Sequence, residues 1–71
     1  MDEKSYKVSL KAARVNAGLD QAKACEQIGI SKATIVSYES GKTAPTLPTL
    51  KKMCQVYDVP MDSISFTRND N

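Results

Sequence analysis

Apolar residues recur at helical spacing along most of this chain, and polar residues between them supply starts and stops. Leu10, Ala13 and Ala17 lie three and four apart and predict a helix over 10–17, with the Ser9 hydroxyl accepting a first-turn N–H. Gly18 ends that helix, and Leu19 returns to the core. Asp20 caps a second helix over 21–28, with Ala24, Cys25 and Ile28 inward and Lys23, Glu26 and Gln27 outward. Gly29 closes it, Ile30 buries in the turn, and Ser31 caps a third helix over 32–40 with Ile35 and Tyr38 inward. Taken alone, the β-branched run Thr34–Ile35–Val36 would suit a strand. The Ser31 start, the Gly41 stop and the lack of a partner strand pattern favour helix. After a loop over 41–45, Thr46 caps a fourth helix that tolerates Pro48 in its first turn, where a missing N–H costs nothing. Leu47, Leu50, Met53, Cys54 and Tyr57 form its inward stripe, and Pro60 opens a last short helix with Met61 and Ile64 inward. Residues 1–5 read as a loose charged arm, 6–66 as one domain and 67–71 as a polar tail. The expected fold is all-α, with five helices.

Composition narrows the chemistry. The chain has 71 residues, 41% of them hydrophobic, and its aromatics are three tyrosines (Tyr6, Tyr38, Tyr57) and Phe66. That is near the lower limit for a single unaided core, and it suits binding better than enclosing a catalytic pocket. Ten Lys and Arg against eight Asp and Glu give a net charge of +2. Any affinity for nucleic acid must therefore come from charge placement rather than bulk charge. No apolar run reaches the ~20 residues of a membrane span and no signal-peptide pattern opens the chain, so a soluble, cytoplasmic protein is expected. With no His and only Cys25 and Cys54, far apart in sequence, no metal site or cofactor is indicated. A disulfide is arithmetically possible, but a cytosolic chain argues against it, and both cysteines read as small core residues. No nucleophile–base pair or phosphate-cradling glycine loop is present, so an enzyme is not expected.

The stretch Leu19–Pro45 then stands out: two short helices joined by a tight turn at Gly29–Ile30–Ser31. Such a pair forms a helix-turn-helix, whose second helix can enter a DNA major groove. With Ile35 and Tyr38 turned inward, Ala33, Val36, Ser37 and Ser40 form one exposed stripe headed by Lys32. A merely solvated face usually carries long charged residues; this one is small, which suits close approach by another surface. Lys32 can donate to guanine, Ser37 can pair with several base edges, and Ala33 and Val36 can meet thymine methyl groups. Gln21, at the positive end of the second helix, and Lys42 and Thr43, after the third, are placed to hold phosphates. Arg14 and Glu39 read as an ion pair tying the third helix to the first, with a secondary phosphate role for Arg14.

These residues carry a resemblance. Arg14, Gly18–Leu19, Gln21, Gly29–Ile30–Ser31, Ile35, Ser37, Glu39, Gly41–Lys42 and Pro45, continuing through Leu50 and Val59 to Ile64, resemble the Cro/CI-type (XRE-type) helix-turn-helix family of bacterial and phage repressors. The opening SLKAARVNAGL is similar to a subgroup common in mobile elements and phages of low-GC Gram-positive bacteria. The resemblance implies a five-helix, lambda-repressor-like DNA-binding domain. It assigns base reading to Lys32, Ala33 and Ser37, to which the stripe itself adds Val36. It assigns phosphate contacts to Gln21, Ser31, Thr34, Ser40, Lys42 and Thr43, and the interhelical ion pair to Arg14 and Glu39. Departures from the family pattern are Asp20 in place of a Ser or Thr cap, Ala24–Cys25 in place of Leu–Ala, and Ala33, which offers no hydrogen bond.

The implied function is a transcriptional regulator, of repressor type, occupying a double-stranded DNA operator. A homodimer is expected, at least on DNA, pairing through Met61, Ile64 and Phe66 or only once bound. The alternative is the same fold used as a protein-interaction module, antitoxin- or antirepressor-like, with Val36 and Phe66 as partner contacts.

Overall fold

The computed structural model describes residues 7–65; the arm expected over 1–5, Tyr6, Phe66 and the tail expected over 67–71 lie outside them. Short polar side chains start the first three helices. Before α1 (Leu10–Asn16) the Ser9 hydroxyl accepts from the Ala12 N–H at 3.0 Å. Before α2 (Gln21–Ile28) the Asp20 carboxylate accepts from Lys23 N–H at 2.8 Å, and before α3 (Lys32–Ser40) Ser31 Oγ accepts from Thr34 N–H at 3.2 Å. The start of α4 (Leu47–Tyr57) differs from expectation: Thr46 holds the cap position but makes no capping bond. Pro48 removes one of the N–H groups a cap could take, and the Thr46 hydroxyl donates to Thr49 Oγ1 at 3.1 Å instead. Gly29 and Gly41 end α2 and α3 at φ of +89° and +83°, a region closed to most side chains.

One side of each helix meets the others. Leu10 and Ala13 of α1, Ala24, Cys25 and Ile28 of α2, Ile35 of α3, and Leu50, Met53, Cys54 and Tyr57 of α4 join Ile64 in one buried core. Burying each large aliphatic side chain contributes about 1.5–3 kcal/mol. α4 packs on α1 and α2, and those two helices hold α3. Both cysteines are buried free thiols, and burial pushes the Cys54 thiol up. Two inward assignments need correction, and Leu19, Ile30, Tyr38 and Met61 are half-buried against the core rather than within it. Ala17 is exposed, and Leu47 is 62% exposed. Periodicity gives a side chain's direction around its helix, but burial also requires something opposite it.

Among the described residues the fifth helix is not formed: four α-helices are followed by a 3-10 turn, Met61–Ser63. Residues beyond the turn commit their backbone elsewhere. Val8 N–H donates to the Ser63 carbonyl, and Ser65 N–H donates to the Val8 carbonyl, both at 2.8 Å. Ile64 is thereby extended beside Val8 in an isolated parallel bridge and sits 4% exposed in the core. It is therefore unavailable as the dimer contact expected of it, and half-buried Met61 offers only part of its surface.

α3 is fixed by charge as well as by packing. Arg14 Nε lies 2.7 Å from Glu39 Oε2 and Nη2 lies 3.3 Å from Oε1, with 9% and 5% of the two side chains exposed. The third nitrogen, Nη1, donates to the Leu19 carbonyl at 2.8 Å, while Leu19 N–H donates to the Arg14 carbonyl at 3.2 Å. Gln21 Nε2 adds a donor to Glu39 Oε1 at 3.1 Å. Each guanidinium nitrogen has a protein partner and the side chain is nearly buried, which leaves little of it for the secondary phosphate role expected of Arg14. The hydrogen bond that Arg14 donates to Glu39 is the main reason its pKa is raised further.

Two measurements follow from these contacts. Arg14→Ala and Glu39→Ala should each lower stability by about 3–5 kcal/mol in urea unfolding, because each strands a buried charge. The double variant should lose clearly less than the two single losses combined. Tyr57 is also buried, and its hydroxyl has no hydrogen-bond partner among the described residues. Burial, and secondarily the Glu39 carboxylate, push its phenol up to about 12 from 10.0. The unfolded chain ionises this group first, so the stability it contributes is complete below pH 10 and lost as pH rises through about 12. Tyr57→Phe should flatten that alkaline decline and should not destabilise at pH 7, since it removes an unsatisfied hydroxyl.

Candidate nucleic-acid interface

α3 owes its exposed face to what it buries. Ile35 is fully enclosed and Glu39 points to Arg14, which leaves Lys32, Ala33, Val36 and Ser40 exposed and Ser37 half-buried. Val36 is 44% exposed, an apolar group set among small polar ones. The only carboxylate of α3 is neutralised by Arg14, so Lys32 at its start and Lys42 after its end meet no opposing charge from the helix. Neither lysine is ion-paired among the described residues. The face is thus a narrow strip of small side chains with a cation at each end.

The loop after α3 is tied back onto it. The Ser37 carbonyl accepts from Lys42 N–H at 3.0 Å and Thr43 N–H at 3.3 Å, and Ser40 Oγ donates to the same oxygen at 3.1 Å. The Ser37 and Thr43 hydroxyls lie 2.8 Å apart, within hydrogen-bonding distance. At the other end, Ser31 Oγ and Thr34 Oγ1 are paired at 2.9 Å. Several residues expected to hold phosphates therefore already have protein partners: Gln21 at Glu39, Ser31 and Thr34 with each other, and Ser40 and Thr43 at Ser37. Lys42 alone of that set presents an uncommitted charge. The Thr43–Ser37 and Gln21–Glu39 links were not visible in the periodicity of the chain. The only sequence signal for the first is Gly41, whose left-handed backbone turns the chain back toward the helix it has just left.

Among the described residues, no group of three or more His, Cys, Asp or Glu is placed to hold a metal ion, and no helix is long and apolar enough to cross a membrane. The exposed face of α3 carries small side chains with Lys32 and Lys42 at its ends, neither ion-paired among the described residues.

Comparison with known proteins agrees with that geometry. The helix-turn-helix family profile matches residues 10–64, from the start of α1 to the end of the core. The cryptic phage CTXphi transcriptional repressor RstR of Vibrio cholerae is 32% identical over 56 residues, covering 79% of this chain and 50% of that protein. The uncharacterised HTH-type transcriptional regulator YgzD of Bacillus subtilis (strain 168) is 26% identical over 65 residues, 92% of this chain and 98% of that one. The chain thus spans half the length of the first relative and nearly all of the second. No solved structure matches significantly. With its two helices, its turn and its brace in place across the matched span, the chain belongs to the Cro/CI-type (XRE-type) helix-turn-helix family of DNA-binding domains.

Proposed function

We propose that this protein is a sequence-specific regulator of transcription that occupies a double-stranded DNA operator in the cytoplasm, with α3 in the major groove. The observation that carries this reading is the exposed strip of small residues on α3, flanked by Lys32 and Lys42, neither ion-paired among the described residues, and held at a set angle by the buried Arg14–Glu39 pair. Lys32, Ala33, Val36 and Ser37 read bases in this arrangement. Lys42 and Thr43 hold one sugar–phosphate strand, and Ser31, Thr34, Ser40 and Gln21 line the margins. A phage or mobile-element repressor is the favoured type, since one relative is named as a phage transcriptional repressor. Occupancy would exclude polymerase from the site.

The strip presents few hydrogen-bonding groups, so one copy discriminates weakly. Two copies on half-sites about 34–36 Å apart would read twice as many bases. Selection of bound sequences from a random DNA pool tests the whole reading: a two-fold related consensus is expected. No enrichment would favour the protein-interaction alternative, for which exposed Val36 is the candidate contact.

Two substitutions separate reading from positioning. Lys32→Ala should cost ~1–3 kcal/mol of discrimination at a single base pair, measured as relative affinity across operator variants. Lys42→Ala should weaken all sequences alike and reduce the slope of log affinity against log salt by about one unit.

A further inference from the structure

The hydroxyls of Ser37 and Thr43 stand 2.8 Å apart, and either can be the donor. Neither has another hydrogen-bond partner through its hydroxyl among the described residues. Each hydroxyl owns one proton and two lone pairs. Their mutual bond consumes one of the two protons, so the pair can offer one proton outward, from Ser37 or from Thr43 but never from both. Thr43 is exposed on the loop beside Lys42, and its backbone is pinned to the Ser37 carbonyl, which keeps the two hydroxyls together. A phosphate oxygen only accepts. If Thr43 gives its proton to phosphate, Ser37 must give its own proton to Thr43. Ser37 then turns lone pairs alone toward the groove.

Resting on the reading of α3 as the base-contacting helix, we propose that Thr43 sets the base preference of Ser37 through this hydroxyl pair. The phosphate contact polarises Ser37 as an acceptor, so Ser37 selects a major-groove amino group, adenine N6 or cytosine N4. It rejects the acceptor edges, guanine O6 and N7 or thymine O4. A lone serine would pair with either kind of edge. Thr43 is thus a positioning residue that touches no base and yet decides which base is read.

The test uses the full chain and a selected operator. Comparing Ser37→Ala with the native protein maps the base pair that Ser37 faces. Duplexes are then made in which the adenine or cytosine there is replaced by purine or pyrimidin-2-one, which lack the amino group. Others replace the guanine or thymine by 2-aminopurine or 5-methylpyrimidin-2-one, which lack the carbonyl oxygen. Measuring each in the native and Ser37→Ala backgrounds cancels the effect of the base change on the duplex itself. The amino deletion should cost the native protein about three- to tenfold more than it costs Ser37→Ala, with no such excess for the carbonyl deletion. Thr43→Val, similar in shape but without a hydroxyl, leaves Ser37 able to pair with either edge and should bring the amino excess toward onefold. Thr43→Ser should restore the native pattern. An amino excess unchanged in Thr43→Val, a native excess on the carbonyl side, or no base pair sensitive to Ser37→Ala overturns the inference while leaving DNA binding intact. Failure to select any DNA overturns the functional reading itself.

Discussion

A guanidinium and a carboxylate are costly to remove from water, and a domain this small has little stability to spare. Arg14 and Glu39 are tolerated in the interior because nearly every polar atom is answered: two nitrogens by the carboxylate, the third by the Leu19 carbonyl, and Glu39 Oε1 again by Gln21. Those partners come from α1, the turn after it, the start of α2 and the end of α3. One buried pair therefore links the three elements that must keep a common geometry if α3 is to be presented in one orientation. Its net contribution to stability is smaller than the penalty for breaking it. What it supplies is a single allowed arrangement.

The exposed side of α3 depends on that arrangement. Ile35 anchors the helix by packing, but one enclosed side chain leaves a short helix free to roll about its axis. Glu39, one turn later, is held by Arg14 and stops the roll. The helix can then afford small residues on its open face, because none of them is needed to hold it. The loop follows the same logic at shorter range: the Ser37 carbonyl gathers Lys42 and Thr43 against the end of α3, so Lys42 projects from a defined point.

The chain ends of the domain are closed by backbone pairing rather than by a further helix. Val8 and the segment from Ser63 to Ser65 exchange two hydrogen bonds, and this draws Ile64 under the core. The same contact removes Ile64 from the surface. A second copy would have to meet the described part of this protein elsewhere or through DNA.

Much of this was legible in the sequence, for a common reason. Ser9, Asp20 and Ser31 cap helices by reaching only three residues ahead, Gly29 and Gly41 act on their own backbone, and Ala24, Cys25 and Ile28 share a face by helical period. Such relations are local, so the chain alone states them, and the limits of α2 and α3 follow from them. The pairing of Arg14 with Glu39 was suggested by their places beside the inward faces of two helices, and the family resemblance agreed with it. The third partner at Leu19 and the fourth at Gln21 required the helices to be in position. Val8 beside Ile64, and the Thr43 hydroxyl against Ser37, could not be read at all, because backbone pairing and hydroxyl pairing leave no period in a sequence. Leu47 shows the limit from the other side: its spacing points inward, but at the start of α4 it remains exposed. Residue order settles where helices begin, end and turn their apolar sides. Which polar groups close the distances between helices is settled in three dimensions, since a hydrogen bond depends on separations of a few tenths of an ångström that no local rule transmits.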